Sequence, residues 1–104
     1  MREYEGIATE EELKQILHPE EKTQLYSLRK AKKMPRTELA RISGVANQII
    51  YNYETRRRDI NIASSLTLCK LATALGCRIE DLMDKQVVSL VKQQVENQQA
   101  EGNE

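Results

Sequence analysis

The stretch MPRTELARISGVANQIIYNYE, residues 34–54, decides the fold. Leu39-Ala40, Val45, Ile50 and Tyr53 recur at spacings that place them on one side of two short helices. Between those helices stands Gly44, a residue whose backbone accepts the left-handed conformation of a sharp turn. The five apolar residues therefore face one small core. Gln48, Asn52 and Thr55 fall on the opposite side of the second helix, free to meet a partner.

Charge follows the same segment. Residues 1–20 carry a net charge of −4, residues 21–58 carry +7, and residues 59–104 carry −3. The overall balance of zero thus hides a basic block that coincides with the two-helix unit. A basic patch is the electrostatic footprint of nucleic-acid binding. Two helices around a glycine turn, within such a patch, read as a helix-turn-helix, the motif whose second helix enters the DNA major groove.

Outward from the motif, the pattern is helical throughout. Thr9 and Glu12 fit a capping box before a short helix at 10–17, with Leu13, Ile16 and Leu17 on one face. Pro19 is placed to open a second helix running to about Lys33, which turns Leu25 and Leu28 inward. Pro35 stops it and opens the motif's first helix, 36–42; the second spans about 46–55. Arg56-Arg57-Arg58 leads into a loop or single turn at 59–62. A helix at 64–75 carries Leu68, Leu71, Ala72 and Leu75 and ends at Gly76. Ile79 to Met83 forms a closing helix. Val88, Val91 and Val95 repeat like a fragment of a heptad, which suits either packing on the chain's own domain or a dimer contact. The final ENQQAEGNE has almost nothing apolar and is expected to be disordered. The boundaries are an N-terminal extension at 1–18, a helix-turn-helix domain at 19–84 and a C-terminal extension at 85–104.

Leu25-x-x-Leu28-Arg29, Glu38-Leu39-Ala40, Ser43-Gly44-Val45, Ile50, Tyr53-Glu54, Lys70-Leu71-Ala72, Ala74-Leu75-Gly76 and Glu80-Asp81-Leu82 stand in an order that resembles the Xre family, the lambda-repressor-like or Cro-type helix-turn-helix domains. The resemblance covers about residues 22–84. It implies an all-α, five-helix domain that binds operator DNA, often as a two-fold dimer, and regulates transcription. It also implies that Arg29 and Glu54 pair, tying the first helix of the domain to the end of the recognition helix. Several positions depart from the family pattern. Ala46 replaces the usual serine cap of the recognition helix, a change that costs roughly 0.5–2 kcal/mol unless Asn47 caps instead. Arg36 replaces a glutamine. The usual glycine after the recognition helix is missing from Thr55-Arg56-Arg57, and the link to the next helix is about three residues longer.

Gln48 and Asn52, four apart, share a helix face, and amide side chains pair bidentately with adenine N6 and N7. Asn47 stands at the helix start, where recognition residues touch base edges. Ile49 and Tyr51 flank that face and complete the base-contacting set, Ile49 beside a thymine methyl or partly in the core, Tyr51 also within reach of a phosphate. Arg36, Thr55, Arg56, Arg57 and Arg58 are the expected phosphate contacts.

Other chemistry is not expected. His18 is the only histidine, Cys69 and Cys77 lack zinc-finger spacing, and no nucleophile–base pair or phosphate loop is visible. The expectation is a non-enzymatic chain with no cofactor, metal or small-molecule ligand. With no 18-residue apolar run, no apolar leader and few cysteines, it reads as a cytoplasmic protein without a membrane partner. Its partners would be double-stranded DNA and a second copy of itself, reading half-sites about 34–36 Å apart. Two further readings stand beside this one. An antitoxin would bind DNA and also mask a toxin protein through residues 1–18 or 85–104. An interaction module would have kept the fold and lost DNA binding.

Overall fold

Helix caps and glycine turns set the element boundaries. A computed structural model describes residues 22–102. Helix α1 spans Gln24–Ala31, capped by Thr23, whose buried hydroxyl accepts from the Tyr26 amide at 3.1 Å. The helix therefore starts behind this threonine, not near Pro19, because extended Thr23 breaks helical continuity. It also stops short of Lys33, which takes a left-handed φ of 54°. Helix α2 spans Arg36–Ser43 after the extended Pro35 and ends on Gly44 at φ 79°. The turn is tightened by the Val45 amide, which donates to buried Ser43 Oγ at 3.1 Å. Helix α3 follows at Asn47–Glu54.

The longer link contains a 3₁₀ turn, η1, at Ile60–Ile62, which buries Ile60. Helix α4, Ser65–Leu75, has the best-formed ends in the domain. The Ser64 hydroxyl accepts from the Thr67 amide, and Gly76 closes the helix at φ 69°. The closing element, η2 at Ile79–Leu82, is a 3₁₀ turn and not an α-helix. Its four residues suffice to drop Leu82 into the core, fully buried. Four α-helices and this turn thus stand for the five expected helices, with η1 added in the link, and no strand occurs among the described residues.

Helix α2 packs against α3 and α4, α1 against α3 and η2, and α4 against η2. Together they enclose Leu25, Leu39, Val45, Ile50, Tyr53, Ile60, Leu68, Leu71, Ala72, Leu75 and Leu82. With no Phe or Trp available, branched aliphatic chains and one tyrosine fill the core. Burying each such side chain contributes about 1.5–3 kcal/mol.

The chain divides into two units at Asp84–Lys85. Beyond it, helix α5 runs from Lys85 to Gly102. The tail expected to be disordered is helical through Gly102. Glu, Gln and Ala are strong helix formers, and extending an existing helix avoids the cost of nucleation. Along α5, Val87 is buried, Val88 half-buried, and Val91 and Val95 exposed. The expected helix at 10–17, its capping box and His18 lie outside the described residues.

Candidate nucleic-acid interface

Helix α3 has an inner and an outer side. Ile50, Tyr53 and Glu54 are buried, while Asn47 and Gln48 are exposed and Tyr51 and Asn52 half-exposed. Ala46 precedes the helix with no side-chain cap, and Asn47 is already its first residue, so the asparagine does not take over as cap. Gln48 Nε2 donates to Asn52 Oδ1 at 3.1 Å, which aligns the two amides along the exposed face. Ile49 is different. It is half-buried and packs against the core, the second of the two places the sequence allowed it.

The far end of α3 is held by charge. Arg29 Nε donates to Glu54 Oε2 at 2.6 Å and Arg29 Nη2 to Oε1 at 3.1 Å, while Nη1 donates to the Met34 carbonyl at 2.8 Å. Side-chain exposure of this pair is only 7% for Arg29 and 3% for Glu54, so it is shielded from solvent screening. A carboxylate at a helix C-terminus opposes the helix dipole. Here a second guanidinium helps to offset that cost, as Arg36 Nε donates to Glu54 Oε1 at 3.3 Å. The same Arg36 lies over the Tyr51 ring, 5.0 Å from its centroid, and Arg57 approaches that ring at 5.8 Å. Arg36, Asn47, Gln48 and Tyr51 line one shallow concavity on the surface.

The expected phosphate contacts divide sharply. Arg57 and Arg58 are exposed beside the end of α3. Thr55 is exposed too, but its hydroxyl donates to the Tyr51 carbonyl at 2.8 Å and so finishes the helix. Arg56 is engaged inside the fold. Its Nη1 and Nη2 donate to the Asp84 carboxylate, both at 3.0 Å, and its backbone takes a left-handed φ of 63°. It thus occupies the backbone position for which glycine is best suited, and the bidentate pair with Asp84 offsets the strain.

Sequence reading missed this latch. Asn61 Nδ2 donates to Asp84 Oδ2 at 2.9 Å, and the Asp84 amide donates back to Asn61 Oδ1 at 2.9 Å. Burial pushes the Asp84 carboxyl up, but the hydrogen bonds from Arg56 and Asn61 and the Arg56 charge outweigh it and hold it below its ordinary value of 3.8. The one available signal was the arginine standing where a glycine was expected. Nothing local to Asp84 marks it as the partner.

Among the described residues no group of three His, Cys, Asp or Glu side chains could hold a metal ion. No described helix is long and apolar enough to cross a membrane.

A family model described as helix-turn-helix matches residues 25–82, more than half of the chain. The chain therefore belongs to this helix-turn-helix family, the Xre or lambda-repressor-like group of DNA-binding domains. The match runs from Leu25 at the start of α1 to Leu82 at the end of η2, so it takes in the whole core described above. No curated protein and no solved structure matched the chain.

Proposed function

We propose that this chain is a sequence-specific transcriptional regulator that reads operator DNA with α3 in the major groove. The observation that carries the reading is the aligned amide pair of Gln48 and Asn52 on the outer face of a helix whose far end is fixed by the Arg29–Glu54–Arg36 cluster. A rigidly aimed amide pair suits adenine, which offers N6 and N7 in the major groove. Asn47 and Tyr51 extend the same surface, and exposed Arg57 and Arg58 supply phosphate contacts at its edge. The protein acts in the cytoplasm as a homodimer, so that two copies of α3 meet two half-sites about one helical turn apart.

The test is a titration of the full chain against duplex from its own upstream region and a shuffled control, at two salt concentrations. Preference for the native duplex, weakening steeply with salt, supports a specific regulator, since each phosphate contact steepens the log–log salt slope by about 0.9. Equal weak binding to both would place the operator elsewhere. No binding at low salt would favour the interaction-module reading.

A further inference from the structure

We infer that Arg36 reads a guanine, and so is a specificity-determining residue, not a phosphate anchor. The inference rests on the DNA-binding reading above and extends the reading surface from α3 to the first residue of α2.

Three observations carry it. First, Arg36 belongs to the same concavity as Asn47, Gln48 and Tyr51, the residues at the start and on the outer side of α3. A duplex that brings base edges to Gln48 brings them to this guanidinium too. Second, Arg36 is held from two directions. Its Nε edge binds Glu54 Oε1 at 3.3 Å, and its guanidinium carbon lies over the Tyr51 ring, 5.0 Å from the centroid. Bidentate recognition of a base edge depends on a held guanidinium, a demand that a contact to a single phosphate oxygen does not make. The side chain remains 35% exposed, and neither terminal nitrogen makes a hydrogen bond within the described residues. The Nη1/Nη2 pair is the fork that matches guanine O6 and N7, the commonest specific contact in the major groove. Third, the cluster divides the edges of Arg36. Glu54 is already held bidentately by Arg29 and takes the Arg36 Nε edge as well, which leaves the Nη1/Nη2 edge uncommitted. Exposed Arg57 and Arg58 are better placed for phosphate.

The experiment is selection of binding sites from a randomised duplex pool by the full chain and by Arg36→Gln. The substitution restores the amide common at this position of the family, and circular dichroism verifies its fold. The native chain should select a guanine beside the bases read by the amide pair, and Arg36→Gln should lose that preference while keeping the rest of the site. On the selected duplex, replacing the guanine by 7-deazaguanine, which lacks N7, should weaken native binding about tenfold and leave Arg36→Gln unaffected. Tyr51→Phe, which keeps the ring, should retain the guanine; Tyr51→Ala should relax it. The inference is overturned if Arg36→Gln selects an unchanged site with uniformly weaker affinity and a salt slope lower by about one, the signature of a phosphate contact. If the native chain selects a site with no such guanine, this inference falls and the DNA-binding reading stands. If it selects nothing, both fall.

Discussion

Helices α3 and α4 lie in one domain and solve the problem of a short helix in opposite ways. Helix α4 is secured by local chemistry at both ends, with the Ser64 hydroxyl at its start and Gly76 at its close. Four buried aliphatic residues hold it between. Helix α3 has no side-chain cap at Ala46 and buries only Ile50, Tyr53 and Glu54. Its stability comes from distant residues. Glu54 is gripped by Arg29 and Arg36, the Arg58 amide returns to the Asn52 carbonyl at 3.0 Å, and Arg56 fixes the exit loop through Asp84. A helix that keeps its outer side free for a partner cannot be held by burial on all sides. Long-range ion pairs at its C-terminal end hold it instead, and they leave the exposed side chains at its start unconstrained by burial.

That contrast can be broken, and the largest effect is expected at Glu54. Glu54→Gln leaves Arg29 buried without its counter-charge and should cost about 3–5 kcal/mol in denaturant unfolding. The double variant Arg29→Met with Glu54→Leu should cost less than the single one, since no uncompensated charge remains. A loss below about 1 kcal/mol for Glu54→Gln would mean that the cluster does not hold α3.

The Asp84 latch should give the next effect, about 2 kcal/mol for Asp84→Asn, from charged hydrogen bonds that are lost or weakened. It also carries a pH signature. The Asp84 carboxyl is held below 3.8 in the folded chain, so its contribution is complete above the unfolded value near 3.8 and is lost as pH falls through the lower folded value. Melting temperatures followed into acid should therefore fall more steeply for the native chain than for Asp84→Asn. Parallel curves would remove the latch from the account.

The smallest pair of effects tests the caps. Ser64→Ala should destabilise by about 1 kcal/mol and Ala46→Ser should stabilise by about as much, both read in chemical denaturation. If Ala46→Ser stabilises the protein and also weakens DNA binding, the bare start of α3 serves the interface.

Local chemistry made much of this fold legible in advance. Gly44 and Gly76 stand where φ is positive, Pro35 precedes a helix, and periodic aliphatic residues name the core. Elements governed by non-local contacts were read less well. Arg56 and Asp84 lie 28 residues apart, and no spacing rule links them. Ile49 sits on the margin between the two sides of α3, where periodicity alone cannot choose between base and core. The polar end of α5 read as disordered because composition was weighed against a packed core, whereas continuing a helix needs only residues that tolerate it. On the candidate interface, the shared face of Gln48 and Asn52 was legible from their spacing, but the approach of Arg36 to the Tyr51 ring was not, because it depends on how α2 meets α3.

The most direct measurement is amide chemical-shift mapping of the full chain as duplex is added. The account predicts that the largest changes fall on Arg36, Asn47, Gln48, Tyr51, Asn52 and Arg57, while Leu68 to Leu75 of α4 hardly move. Changes confined to α5, or to the exposed surface around Ile42 and Leu66, would contradict the claim that α3 is the reading helix.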